Sequence, residues 1–436
     1  MKGGRFNIHY YGRLVTDRKL LTTETIHEVT TGVCDIGGQW HCKQCETTVQ
    51  QHFYTYRSDC LNKAIVYCRN CISLGKMDSH HQVYITVTGH KKSEAAYDLP
   101  FKLSPQQHYA SAAIVTALMK RQALLLYAVT GAGKTEMIFE AIHQARKQGL
   151  NVAIVSPRVD VIIELQIRIR EAFHDEQIDV LYQGQRQKFD GHFVIATVHQ
   201  LMRFKGHFDF IVVDEVDAFP LSMDPTLMSV ITAAQNEDGS AVYMTATPTP
   251  WLIKQFDKSH IIRLPARFHQ YPLPVPIFKY FRIIPHKKQF KFLSLLTQQI
   301  QAKRYTLVFF HNIEIMEYMY QIYHKDIETL TTVHSQDPYR LDKVEALRSG
   351  QYRVVFTTTI LERGFTMANL DVIVVDSHKF SSSALIQIAG RVGRKMASPT
   401  GLVMFCHQGI TFKMIKARST IVQMNKLARK KGWIHD

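Results

Sequence analysis

The chain has 436 residues, room for two to four domains with full cores, and its 46% hydrophobic and 21% charged content excludes both a small stapled peptide and a disordered chain. Its 53 Lys and Arg against 37 Asp and Glu leave a net charge of +16, which favours a polyanionic partner, most simply nucleic acid. No stretch reaches the ~18 consecutive apolar residues of a membrane helix, and the first thirty residues lack the apolar core of a signal peptide, so a cytoplasmic location is expected.

Residues 1–100 are rich in Thr, His and Tyr and carry short alternating runs such as VYITV (83–87), the pattern of a small β-rich module. Six of the seven cysteines lie between Cys34 and Cys71, and the spacing C-x7-C-x2-C occurs twice. Each C-x-x-C pair presents two thiolates from one tight turn, so Cys42, Cys45, Cys68 and Cys71 are expected to form a tetrahedral S₄ site. Zn²⁺ is the favoured ion in a reducing compartment; an iron–sulfur centre and a redox pair are the competing readings. Cys34 and Cys60 exceed what a closed four-ligand site needs and are expected to be buried and unliganded, with replacement ligands or a pair supporting the site as the alternatives, and His41 and His52 as polar surface or core groups.

Residues 101–268 alternate helical stretches with apolar runs, ALLLYAV, VAIVS, FVIAT, FIVVDE and AVYMTAT, as the buried parallel strands of a βαβ sheet do. The first run leads into AVTGAGKT (128–135) and then a helical EMIFEAIHQARKQ, the strand, loop, helix order of a Walker A phosphate loop. Thr130, Gly131, Ala132 and Gly133 would turn backbone N–H groups toward phosphates, Lys134 would reach the β/γ-phosphates of ATP, and Thr135 would ligate Mg²⁺. Eighty residues beyond Lys134, DEVD (214–217) closes a buried strand; Asp214 is the expected magnesium ligand and Glu215 the expected base for hydrolysis.

The proline-rich end of LPARFHQYPLPVPIF (264–278) reads as a linker over 269–278. A second α/β domain over 279–410 follows from TLVFF, YRVVFTT, DVIVVD and GLVMFC. Residues 411–436 hold seven Lys and Arg against one Asp, and Ile415, Val422 and Leu427 are spaced for one side of a helix; this basic helix either touches phosphates or is a solvated surface element.

Ser156-Pro157-Arg158, Thr197, DEVD, Thr245-Ala246-Thr247, TTTILERG (357–364) and QIAGRVGR (387–394) stand in the order found in superfamily 2 helicases, which the span from about 105 to 400 resembles. The resemblance implies two RecA-like parallel-sheet domains clamping ATP. It implies Gln107 as the adenine-reading residue, with Gln106 its close competitor, and Gly364 among the nucleotide contacts. Arg391 and Arg394 correspond to arginine fingers, a kind of residue that contributes ~10³ to 10⁵ in rate in other phosphoryl-transfer systems. Thr245, Thr247 and Gln387 would couple hydrolysis to movement. Arg158, Thr197 and Thr358 would hold the backbone of a single strand, although strand-end hydrogen bonding also accounts for the two threonines.

A four-cysteine module directly before such a motor, with YCRNCISLGK, resembles the ComFA family of late competence proteins. That resemblance implies an ATP-dependent single-stranded DNA translocase serving DNA uptake, at the inner face of the membrane, with the channel ComEC and the phosphoribosyltransferase-like ComFC as partners and frequent self-association. A replication-restart helicase of the PriA type is the second reading, but those carry their cysteines between the motor domains. An RNA helicase is a third, and an ATP-gated single-stranded DNA clamp without directional movement is the reading from another class.

Overall fold

The computed structural model describes residues 9–362 and 366–434. The chain divides into two compact units, one of residues up to 102, 110–126 and 135–262, the other of 103–109, 127–134 and 263–436.

The N-terminal part is built from short strands and turns with single 3₁₀ turns between them, such as Gln50–His52, as its alternating runs and turn residues lead one to expect. Strands β1 (Leu14–Val15), β2 (Ile26–Thr31) and β7 (Gln82–Thr86) form a three-stranded antiparallel sheet in the order β1-β7-β2. Between them lie two hairpins, β3 (Val33–Ile36) with β4 (Gln39–Cys42), and β5 (Phe53–Ser58) with β6 (Lys63–Cys68). This module and the parallel sheet that follows share one hydrophobic core. Val33, Met77, Val83 and the four clustered cysteines belong to the same buried group as Val194, Leu201, Phe204 and Phe208.

The first large sheet contains β8 (Ala123–Ala128), β9 (Val152–Ser156), β10 (Asp179–Leu181), β11 (Phe193–Thr197), β12 (Phe208–Asp214), β13 (Gln235–Thr245) and β14 (Ile261–Leu264), in the order β10-β11-β9-β12-β13-β8-β14. The ladders joining β10, β11, β9, β12 and β13 are parallel. Every residue of β9 and β11 is buried, which is why these strands read as unbroken apolar runs. Parallel pairing also puts Ser156, Thr197, Asp214 and Thr245, the last residues of their strands, on one rim of the sheet.

The second large sheet holds β15 (Ile277–Tyr280), β16 (Tyr305–Phe309), β17 (Leu330–Val333), β18 (Val354–Thr357), β19 (Leu370–Val374) and β20 (Val403–His407), in the order β15-β20-β19-β16-β18-β17 and parallel throughout. The expected class is thus observed: two RecA-like parallel sheets preceded by a β-rich module with a cysteine cluster.

Two expectations need correction. The expected linker over 269–278 is partly packed: His269 and Leu273 are buried, and Ile277 and Phe278 belong to β15. The C-terminal helix, Phe412–Lys430, buries Met414, Ala417, Ile421, Met424 and Ala428, whereas Ile415 is exposed and Val422 and Leu427 are half-buried. Asn425 anchors it, since its amide donates to the Leu273 carbonyl and accepts the Leu273 N–H, both at 2.8 Å.

Candidate nucleotide site and metal centre

Strand β8 delivers the phosphate loop. Gly131 and Gly133 have φ of +82° and +74°, left-handed conformations that side chains resist, so the AVTGAGKT pattern matches the local backbone demand. The loop ends at the short helix Lys134–Met137, whose first residue is the lysine expected to reach phosphate.

The two glutamines separate clearly. Gln106 spends its amide on Ala266, donating to its carbonyl at 2.6 Å and accepting its N–H at 3.3 Å. Gln107 accepts the Ser104 N–H at 2.9 Å and donates to the Gly133 carbonyl at 3.3 Å, which places it against the phosphate loop.

Sequence reasoning missed Arg267. It is fully buried, and its guanidinium donates to the carbonyls of Thr130 at 3.3 Å, Gly390 at 3.3 Å and Gly393 at 2.6 Å. One side chain thereby bonds both the phosphate loop and the GRVGR segment. Burial, aided by the charge of Arg394, pulls the guanidinium down to about 9, still protonated at neutral pH. His269 donates to the same Gly393 carbonyl at 2.9 Å. The available signal was an arginine between apolar and aromatic residues in a stretch that otherwise looks like a spacer.

The helix Ser382–Ala389 presents the rest of this segment. Ser381 caps it by accepting the Ala384 N–H at 3.2 Å, and Gln387 is buried on it. Arg391 is buried and donates from Nε to the Glu362 carbonyl at 2.7 Å; Arg394 donates from Nε to the Gly390 carbonyl at 2.8 Å. Gly364 lies outside the described residues.

In the first unit, Asp214 ends β12 and its carboxylate accepts the Glu215 N–H at 2.9 Å. Glu215 itself has φ of +56°, a conformation that costs a non-glycine residue of order 1–3 kcal/mol and recurs at functional sites. Asp217 was not assigned a role from sequence, yet Thr245 donates its hydroxyl to Asp217 at 2.6 Å and Thr247 donates to the other carboxylate oxygen. The two threonines and the DEVD segment are one hydrogen-bonded group.

Thr197 is buried at the end of β11, and Thr358 is half-buried just past β18. Arg158 forms a bidentate pair with Asp160 at 3.0 and 2.9 Å, so a phosphate would have to compete with that carboxylate.

The cysteine cluster is built from the two hairpins. Cys42 ends β4 and Cys68 ends β6; Cys45 and Cys71 follow in the turns. All four sulfurs are buried and lie within 4.8 Å of one another, with Cys42 to Cys71 at 3.6 Å and Cys45 to Cys68 at 3.7 Å. A disulfide needs about 2.05 Å, whereas a tetrahedron with metal–sulfur bonds of ~2.3 Å has edges of about 3.8 Å. The four donors therefore fit one tetrahedral ion, in a cage too tight for an iron–sulfur cluster. Asn70 donates to the Cys45 sulfur at 3.6 Å. Cys60 is exposed and Cys34 half-buried, contrary to the expected burial of both; Cys34 sits 3.9 Å from His41 Nδ1. The ring of His41 engages Glu46 at 2.9 Å, and His52 engages the Thr47 hydroxyl at 2.8 Å.

Comparison with known proteins follows the same division. Residues 13–85 match the family "Competence protein ComFA N-terminal domain", residues 100–250 "Type III restriction enzyme, res subunit" and residues 288–396 "Helicase conserved C-terminal domain". The competence protein ComFA of Bacillus subtilis (strain 168) is 36% identical over 410 residues, covering 90% of this chain and 87% of that protein. ComFA of Streptococcus pneumoniae (strain ATCC BAA-255 / R6) is 33% identical, covering 97% and 99%. Among solved structures, the DEAD-box helicase Mss116 bound to ssRNA and UDP-BeF aligns with a TM-score of 0.55 at 16% identity, covering 70% of each chain. The Mycobacterium smegmatis helicase Lhr bound to ssDNA and AMP-PNP aligns at 0.53 and 17%, covering 74% of this chain and 50% of that one. These structural likenesses establish the fold.

Proposed function

Because the chain belongs to the ComFA family of helicase-like competence proteins, with both RecA-like sheets of a superfamily 2 ATPase in place, we propose that it is a DNA-dependent ATPase that moves single-stranded DNA during uptake. The observation that carries the reading is Arg267, whose three bonds unite the phosphate loop with the segment bearing Arg391 and Arg394.

In this reading ATP lies on the 128–135 loop, Lys134 compensates the β/γ-phosphates, and Gln107 reads adenine. Thr135 and Asp214 hold Mg²⁺, which supplies charge neutralisation on the phosphates. Glu215 orients and deprotonates the attacking water, and Arg391 and Arg394 compensate charge that develops on the γ-phosphate. After hydrolysis that differential contact is lost. Asp217, joined to Thr245 and Thr247, would pass the change toward the rim where Thr197 ends its strand, a role that the shared hydrogen bonds support. Arg158 and Thr358 complete the proposed strand contacts. Sequence-independent binding by cations suits a protein that must accept any DNA.

The cysteine cage holds Zn²⁺ as a structural ion. The family further points to ComEC and ComFC as partners, to self-association, and to work at the inner face of the membrane. No helix among the described residues is long and apolar enough to cross a membrane.

The test is steady-state ATP hydrolysis with no nucleic acid, single-stranded DNA, duplex DNA and RNA. Selective stimulation by single-stranded DNA is expected, and Glu215→Gln should lower turnover by at least about 10²-fold, the lower range for a general base, while leaving the melting temperature within a few degrees. Turnover retained in that variant, or stimulation by RNA alone, would overturn the reading. Displacement of a labelled block from a single strand separates a motor from an ATP-gated clamp.

A further inference from the structure

The hairpin β5–β6 carries an arrangement that neither ATP hydrolysis nor metal binding uses. Antiparallel register sets Tyr54 opposite Tyr67, Tyr56 opposite Ile65 and Ser58 opposite Lys63. Because alternate residues share a face, Tyr54 and Tyr56 on one strand lie on the same side as Lys63, the buried Ile65, Tyr67 and, two residues on, Arg69. The Arg69 N–H donates to the His52 carbonyl at 2.8 Å and so continues the ladder.

The rings form a stepped group: Tyr54 to Tyr67 at 5.6 Å and Tyr56 to Tyr67 at 6.0 Å, both edge to face. Tyr54 is 50% exposed, while Tyr56 and Tyr67 are half-buried behind it. Cations border the rings. The Arg69 guanidinium lies 5.9 Å from the centre of Tyr54, and the Lys76 ammonium lies 5.0 Å from Tyr56 and 5.8 Å from Tyr67. Lys76 is fixed there by the Tyr56 hydroxyl at 2.9 Å and by Asp78 at 3.2 Å. Neither strand contains an acidic residue, and both Lys63 and Arg69 are exposed.

We propose that this face is a stacking platform for single-stranded DNA, with a base laid on Tyr54, its phosphate drawn to Arg69, and a phosphate further along the strand drawn to Lys63, four residues from Tyr67 on β6. An exposed ring braced edge to face by Tyr67, which itself packs on Tyr56, loses little freedom when a base stacks on it. Packed rings bordered by Arg69 and Lys76 suit a polymer that carries both bases and phosphates. Such a platform tolerates any sequence, since every base has a π-face. The cysteine cage, closed by Cys68 and Cys71 at the end of the same hairpin, would hold it rigid. The inference rests on the reading of the chain as a single-strand motor and adds the strand's contact on the metal module.

The experiment measures fluorescence anisotropy of labelled dT20, and of an abasic strand of equal length, with full-length zinc-loaded protein. Tyr54→Ala should weaken dT20 binding by about 5- to 150-fold, the loss of one base stack, with abasic binding unchanged. Tyr54→Phe should bind as the parent does. Unchanged dT20 affinity in Tyr54→Ala, with the parent still binding and stimulated by DNA, overturns the platform and leaves the motor. Equal weakening on both strands also overturns it. No dT20 binding by the parent removes the motor reading and the platform together. A readout without mutation is photocross-linking to a strand carrying 5-iododeoxyuridine: adducts on Tyr54 or Tyr67 are expected, and adducts confined to other regions overturn the proposal.

Discussion

Arg267 shows how one buried side chain organises a site. A guanidinium shielded from water can persist there because three carbonyls satisfy it, one from the phosphate loop and two from the GRVGR segment. Arg267→Met should therefore cost about 2 to 3 kcal/mol in urea unfolding, the scale of hydrogen bonds to a charged group, and lower turnover as well. Arg267→Lys should not rescue either quantity, because an ammonium cannot span the fork; rescue by lysine would show that charge alone suffices. Gly390 makes a complementary point. A Cβ there would stand 1.9 Å from Thr130 Oγ1 and 2.7 Å from Thr130 Cβ. Its backbone is ordinary, φ −66°, so Gly390→Ala should lose ATPase activity through this contact alone. Adding Thr130→Ala should restore only part, since the Cβ clash remains; a double-mutant cycle reads the coupling, and strictly additive effects would refute it.

Elements differ in how openly the chain announces them. Strands such as VAIVS and FVIAT were legible because burial on both faces demands continuous apolar runs, and the phosphate loop was legible because positive φ demands glycine. The C-terminal helix itself was legible, but its buried face was not, because that stripe uses Ala417 and Ala428, small residues that contribute little to an apolar pattern. Arg267 and Asp217 were missed because their partners are backbone carbonyls and threonine hydroxyls distant in the chain, which no local spacing records. The same holds where the first β-module meets the parallel sheet. His207, fully buried beside Phe204, bonds the Gly191 carbonyl at 3.0 Å and lies 3.5 Å from the Thr88 hydroxyl. Burial pulls its pKa down to about 3, so it stays neutral when folded while the unfolded chain protonates near 6.5. The contribution is complete above pH 6.5 and is lost as pH falls toward 3, by about 1.4 kcal/mol per pH unit. Between pH 7 and 5 the parent should lose about 2 kcal/mol more than His207→Gln, which retains a donor for Gly191 but does not titrate. Parallel urea curves at the two pH values provide the measurement, and equal losses would place the acid sensitivity elsewhere.

At the scale of the whole molecule, the cysteine module is part of the first compact unit and not an appendage to it. Cys42, Cys45, Cys68 and Cys71 share a buried group with Val155, Val194, Val213 and Tyr243 of the parallel sheet. Polar ties reinforce the join: Lys205 pairs with Glu46 and donates to the Gln44 carbonyl at 3.3 Å, within the loop that holds Cys42 and Cys45. The Arg13 guanidinium lies 4.0 Å over the ring of Phe204, and Asn151 donates to the Gly89 carbonyl at 2.9 Å. A core that spans module and sheet transmits the loss of either part to the other. Four thiolate ligands released from a metal would become four thiols, which fill less of the cage and no longer tie the hairpins together. Cys42→Ser with Cys45→Ser, or exhaustive chelation, should therefore remove about one zinc per chain and lower the unfolding temperature of the first unit as a whole. Basal ATP hydrolysis, which needs no DNA contact, should fall with it. Calorimetry together with metal analysis decides the matter: one cooperative transition shifted downward is the expected result. A separate early transition that leaves basal turnover intact would mean that the module folds and fails by itself, and that the shared core carries little of the coupling.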